Sequence, residues 1–256
     1  KIISFLTQNR LTLLNENKNM TFMNVENLTQ DAVNLLCKLI EIPRTSREEK
    51  EAADTLTEVM LQEYGLKTER EGNNIWCIAD GYDETRKTLL LNAHIDTVKP
   101  TSLWTRDPYK ATIEGDCIYG LGSNDAGASA VSLIAAYRYM EMQELPYNML
   151  LAISAEEEVM GEHGMRGLLP ELGPIDMALV GEPTGMQAAV GERGLLVFDA
   201  TAHGRRGHAA RNEGENALVG PTTLNKAIQK ACGDNKNIFK LVAAGIHLLN
   251  HKIKLV

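Results

Sequence analysis

Three apolar, strand-like runs, Thr88–Leu91, Asn148–Ser154 and Met177–Val180, each lead into a polar, acid-bearing cluster. Those clusters are Asn92-Ala93-His94-Ile95-Asp96, Ala155-Glu156-Glu157-Glu158 and Gly181-Glu182-Pro183-Thr184. A fourth, Ser123-Asn124-Asp125-Ala126-Gly127, stands directly before a helical stretch. Strands alternating with helices predict an α/β fold with a mostly parallel mixed sheet flanked by helices. In such a sheet the carboxyl ends of the strands meet along one edge, where ligands bind. One histidine and several carboxylates gathered there repel each other unless cations neutralise them. The pattern therefore points to a site for two divalent metals, and hence to a metallohydrolase.

Composition narrows the alternatives. The chain has 256 residues, 44% hydrophobic and 23% charged, enough for a buried core and one or two domains. Asp and Glu number 34 against 26 Lys and Arg, a net charge of −8, and no basic stripe marks a nucleic-acid partner. No segment approaches the ~20 apolar residues of a membrane span, so no membrane partner is expected. Cys37, Cys77, Cys117 and Cys232 form no C-x-x-C pair and read as reduced thiols of a cytoplasmic protein. Lys1–Phe22, rich in Asn, Lys, Thr and Leu, has neither the apolar core nor the cleavage site of a signal peptide. Residues 1–22 are expected to be a disordered or adventitious extension, with Met20 or Met23 as a conventional start.

Along the chain, Leu28–Ile42 has helical periodicity, with Leu35, Leu36, Leu39 and Ile40 on one stripe and Pro43 as its stop. Ser46-Arg47-Glu48-Glu49 reads as a capping box for a helix that runs to about Tyr64, with Gly65 after it. Asn74–Ala79 is a short strand, and Ala126–Met140 is a small-residue helix suited to close packing on a sheet. After Gly194 the pattern changes to a strand at Leu195–Ala202, a loop at Gly204–His208 and a helix start at Glu215–Leu218. The expected domains are a metal-binding catalytic domain over 23–193 and a partial lid over 194–256.

Each candidate site residue has a plain reading beside the chemical one. His94 and Asp96 are two apart, so in an extended segment they share a face, and Asp96 can orient the ring while its other nitrogen binds metal. A surface strand end has the same pattern. Asp125 suits a helix N-cap as well as a carboxylate bridging two metals. Glu156–Glu158 could be a solvated face, but a triplet ending an apolar strand could also supply one ligand and one general base. Glu182 before Pro183 is held extended, as in any turn before proline. His208 lies in a glycine-flanked loop near Arg205, Arg206 and Arg211, which could bind a substrate carboxylate.

Taken together, the segments resemble the co-catalytic zinc amidohydrolases and peptidases that include acetylornithine deacetylase, succinyl-diaminopimelate desuccinylase, aminoacylase and glutamate carboxypeptidase. The resemblance spans roughly Asn24 to Leu218. It rests on Leu91–Val98, Gly120–Asp125, Glu157-Glu158 with Gly161 and Gly164, Gly181–Thr184, and Gly207–Ala210 with Gly214–Ala217, in the family's order.

The resemblance implies roles and partners. His94, Asp125 and Glu182 would hold the first metal, with Asp96 orienting His94. Asp125 would bridge to a second metal held by Glu158, and Glu157 would be the general base. His208, from a partner subunit of a homodimer, would steady the substrate carbonyl. The Asp125–Ala126 peptide would be cis. Two zinc ions, or cobalt or manganese, are the expected cofactors. The expected reaction is hydrolysis of the amide of a small N-acyl amino acid. Asn92–Val98 and Gly181–Thr184 read closest to the acetylornithine deacetylase branch, which serves arginine biosynthesis. A dipeptidase or carboxypeptidase of the same family is the alternative, and an incomplete, non-enzymatic fragment is the other. From about Val219 the sequence departs from the family. Nothing in Leu218–Val256 reads as the segment that returns to the sheet with a last histidine. The chain is thus expected to be truncated, with its second metal site short of that ligand.

Overall fold

A computed structural model of the chain describes residues 24–191. The first of two compact units in the chain ends at Met186, and every element below belongs to it. The expectations for residues 1–22, the strand and loop after Gly194, His208 and the tail from Val219 fall outside the described residues.

Helix α1 (Val25–Ile40) starts three residues before the periodic stripe, because the Asn24 side chain caps it by accepting from the Glu26 N–H. Its four expected stripe residues are all buried. Helix α2 (Lys50–Glu58) continues into a wider turn, Val59–Glu63, and stops at Gly65, whose φ of 71° suits glycine. The capping box does not form. The Ser46 hydroxyl and the Glu49 carboxylate both turn inward to the sheet edge, and α2 begins without a side-chain cap.

The main sheet contains β1 (Glu69–Glu71), β2 (Asn74–Ile78), β3 (Thr88–His94), β6 (Asn148–Ser154) and β7 (Met177–Val180), in the order β1-β2-β6-β3-β7. The three strands β6, β3 and β7 run parallel, and β2 and β1 add antiparallel on the β6 side. A separate hairpin pairs β4 (Thr112–Glu114) with β5 (Cys117–Tyr119). Helix α3 (Ala128–Glu141) packs on β3, β6 and α1. Helix α4 (Met165–Leu172) packs on β6 from the other face.

Because helices cover both faces of the central strands, β6 is buried at every residue and reads as an unbroken apolar run rather than an alternation. The alternation is present in space. Ile75, Cys77, Leu91, Ala93, Met149, Leu151 and Ile153 enter the larger core with α1, α2 and α3, while Leu90, Leu150 and Ala152 meet Leu168 and Leu172 of α4. Among the described residues no helix is long and apolar enough to cross a membrane.

Leu151 lies at the centre of this packing and is fully buried. Leu151→Ala is expected to lower unfolding stability by about 2–5 kcal/mol, as buried Leu→Ala changes do. Leu61→Ala, at a half-exposed position, should cost below about 1 kcal/mol. Denaturant unfolding of both variants checks the contrast.

Candidate metal centre

The ends of β3, β6 and β7 and the turn before α3 bring His94, Asp96, Asp125, Glu157, Glu158 and Glu182 to one edge of the sheet. His94 is the last residue of β3 and only 1% exposed. Its Nδ1 lies 3.0 Å from the Asp96 carbonyl oxygen and 3.3 Å from Asp96 Oδ1. Two acceptors on one side place the ring proton on Nδ1 and aim Nε2 into the cluster. There Nε2 stands 3.1 Å from Asp125 Oδ1, 3.8 Å from Glu182 Oε1 and 3.8 Å from Glu157 Oε2.

Asp96 is fully buried. It accepts the Ser46 hydroxyl at 2.7 Å and the backbone N–H groups of Glu157 and Glu158 at 3.0 and 3.1 Å. Burial alone would raise its pKa. His94, Ser46 and the two amides outweigh burial and hold it below the ordinary carboxylate value.

Asp125 sits in a wide turn, Ser123–Gly127, whose own backbone leaves helical geometry at Asp125 and Ala126. The Asp125–Ala126 peptide is cis, as the family resemblance implies. Asp125 is therefore not a plain N-cap: no side-chain cap forms at the start of α3. Gly122 leads into the turn with φ 69°, and a Cβ there would meet Arg44 Nη2 and Thr97 Cγ2 at 2.5 Å each. Arg44 is itself buried and donates to the carbonyls of Ile95, Leu39 and Gly122. Burial lowers its pKa to about 10, against the opposing pull of Asp96. The Asp125 turn is thus tied to the segment between His94 and Asp96.

After β6 the chain reverses at Glu156, which adopts φ 54° and is buried, while Glu157 and Glu158 open a short 3-10 turn. Glu157 faces solvent and Glu158 is half-buried. Gly161 folds back so closely that a Cβ there would meet Glu156 Oε2 at 1.8 Å. Only glycine permits this reversal.

Two groups of three potential ligands result, His94–Asp125–Glu182 and His94–Glu157–Glu158, each with its ligand atoms within 4.8 Å of one another. Both use His94, and neither contains a second histidine. The electrostatics fit a divalent cation. Burial would lower the His94 pKa, yet Asp96, Glu157 and Glu182 raise it to about 9. Burial and then Asp125 raise Glu158. In the bare chain a proton on His94 offsets part of the negative charge that a metal would offset. Asp125 Oδ1 lies 3.1 Å from His94 Nε2, and its charge also raises the Glu158 pKa.

The signature of peptidase family M20/M25/M40 matches residues 90–246. The chain belongs to this family. It is 32% identical over 218 residues to succinyl-diaminopimelate desuccinylase of Corynebacterium glutamicum, covering 81% of this chain and 57% of that protein. It is 28% identical over 200 residues to the enzyme of the same name from Blochmanniella floridana, covering 72% of this chain and 52% of that protein. The chain thus spans about half the length of the curated relatives it matches. Among solved structures, a tripeptidase from Staphylococcus aureus aligns with a TM-score of 0.49 and 22% identity, covering 78% of this chain and 55% of that one.

The cluster is also braced by residues that sequence pattern does not single out for it. Arg44, Glu49 and Asn74 serve the site through backbone groups. Ser46 and Glu49 read more naturally as a helix cap. Arg44 and Asn74 carry no such pattern, because their partners are backbone groups.

A metal prediction follows from His94. Its ring is protonated below about pH 9, and a cation at Nε2 requires the neutral ring. Cation affinity should therefore rise about tenfold per pH unit as pH climbs towards 9 and level off above. At pH 7.5, calorimetry in buffers of different ionisation enthalpy should show about one proton released per first cation bound. Binding without proton release would contradict the assignment of His94.

Proposed function

We propose that this protein hydrolyses the amide bond of an N-acyl amino acid using two divalent cations, zinc in the first instance, with cobalt or manganese as substitutes. The carrying observation is His94, locked by Asp96 on Nδ1 and facing Asp125 and Glu182 with Nε2, beside Glu157. His94, Asp125 and Glu182 would hold the first cation, and Asp125 with Glu158 would contribute to the second. Bound cations supply Lewis-acid polarisation of the carbonyl and ease deprotonation of water.

The chain's own residues do the rest. Asp96 holds the His94 ring by Nδ1 so that Nε2 is the nitrogen presented to a cation. Glu157 is half exposed and stands at the rim, where a water and a substrate carbonyl can both reach it. It takes the proton as the water oxygen bonds to the carbonyl carbon. It then gives that proton to the amine nitrogen as the C–N bond breaks, so base and acid are one carboxylate. Glu158, half-buried behind it, is the better ligand and the poorer shuttle.

The names of the relatives support an N-succinyl amino acid as substrate ahead of the N-acetylornithine expected from the sequence, and the placing in arginine biosynthesis gives way with it. A peptide substrate is the second reading, favoured by the family signature itself. Cys37, Cys77 and Cys117 form no disulfide among the described residues, and the cytoplasmic reading rests on the sequence. The homodimer reading rests on His208, outside the described residues.

The test is turnover of N-succinyl-diaminopimelate, N-acetylornithine and dipeptides by the cobalt- or zinc-loaded chain. Faster cleavage of the succinyl compound supports the proposal, and no turnover of any with two cations bound refutes it. Glu157→Gln should keep both cations and lose about 10²–10⁴-fold in kcat. A near-normal kcat would remove Glu157 from the role of base.

A further inference from the structure

The turn that carries Glu157 and Glu158 is held in an unusual way. Where β6 runs out of strand partners, four successive backbone N–H groups each find a side-chain acceptor from another element. Ala155 donates to Asn74 Oδ1 at 2.9 Å, Glu156 to Glu49 Oε1 at 3.1 Å, and Glu157 and Glu158 to the two oxygens of Asp96. Asp96 belongs to the metal centre already. Glu49 does not. It is fully buried at the start of α2, among the described residues it makes no ion pair, and all its contacts are to N–H groups. Oε1 also accepts the Arg47 N–H at 2.7 Å, and Oε2 accepts Asn73 Nδ2 at 3.1 Å.

The residue Glu49 grips is the pivot of the turn. Glu156 sits at φ 54°, in the left-handed region that residues with a Cβ seldom adopt. Its N–H goes to Glu49 and its carbonyl receives the Gly161 N–H at 2.9 Å. A pivot held at both ends fixes where the next two side chains leave the backbone.

We propose that Glu49 is a positioning residue for the catalytic turn: its buried carboxylate clamps the Glu156 amide and thereby aims Glu157 and Glu158 at the metal centre. This rests on the reading that Glu157 and Glu158 act there. The backbone of Glu49 is anchored by the first turn of α2, where the Ala53 N–H bonds to its carbonyl at 2.9 Å. Helix α2 therefore reaches the chemistry through one side chain, without touching a cation or substrate.

The experiment compares wild type, Glu49→Ala and Glu49→Gln, using cobalt as the metal probe. Glutamine keeps an oxygen acceptor for the Glu156 amide, and alanine does not. In Glu49→Ala, amide hydrogen exchange at Glu156, Glu157 and Glu158 should accelerate at least about tenfold while the β3 and β6 cores stay protected. Cobalt held by His94, Asp125 and Glu182 should keep its affinity within about threefold. The Glu158-dependent cobalt and kcat should each fall about 10–100-fold, the usual cost of losing an orienting partner, with KM within about threefold. Glu49→Gln should restore every readout to within about threefold of wild type. Unchanged exchange and cobalt binding in Glu49→Ala would overturn the proposal, as would a glutamine variant as impaired as alanine. Should Glu49→Ala not fold, Glu49→Asp withdraws the carboxylate by one methylene and is read in the same way. A wild type that binds cobalt but hydrolyses none of the substrates refutes the proposed function, and exchange and cobalt binding still decide Glu49.

Discussion

Asp96 is the point on which the site depends. Its fully buried carboxylate receives a hydroxyl from the segment before α2, an imidazole N–H from β3 and two amides from the turn after β6. A lone carboxylate so deep would neutralise itself. Four donors stabilise the charged form, and hydrogen bonds to a charged acceptor are worth about 1.5–3 kcal/mol each. One acid thus fixes the histidine tautomer and the direction of the Glu157–Glu158 turn together. Its loss would uncouple two strands' worth of functional groups.

The segment Arg44–Glu49 repeats this coupling from outside the sheet. Arg44 donates to Ile95, between the two histidine-motif residues, and to Gly122, ahead of the Asp125 turn. The Thr97 and Ser46 backbone groups bond across, Thr97 N–H to the Arg44 carbonyl and Ser46 N–H to the Thr97 carbonyl. Ser46 then reaches Asp96, and Glu49 reaches Glu156. A stretch of six residues therefore touches two of the four acid-bearing clusters and the residue just ahead of a third. Rigid side-chain-to-backbone contacts of this kind hold a constellation more accurately than the loops alone would.

What could be read from the sequence follows the physics of each signal. The strand Asn148–Ser154 is legible to the residue, because a doubly covered strand needs an apolar run and its end needs a break; Met177–Val180 shows the same apolar run and break although its residues are exposed. His94, Asp125, Glu157, Glu158 and Glu182 were legible as a group, because several acids at strand ends are costly without a purpose. The Ser46–Glu49 box was misread. Capping chemistry is local, and a local pattern carries no information that Asp96 and the Glu156 amide, 50 and 107 residues away, would compete for the same oxygens. Arg44 was invisible for the same reason: its partners are backbone carbonyls, which have no sequence signature.

The exposure of the site residues shows how the fold separates two incompatible demands. The anchors Asp96, Glu49 and His94 are buried at 0–1%. The side chains of Asp125, Glu157 and Glu182, which face His94 Nε2, are 53%, 52% and 36% exposed. Burying all of these acids in the bare chain would impose the desolvation penalty of several like charges at once. Leaving them hydrated at the rim avoids it, and the buried anchors still dictate where each can point. On the proposed function, cations would meet carboxylates already gathered, in each group of three, within 4.8 Å of one another and of His94. On that function the one group that would have to change state is His94, which would give up its ring proton to a cation. The preorganisation thus lies in hydrogen bonds that involve no cation, and the charge balance would be left to the ligands that come and go.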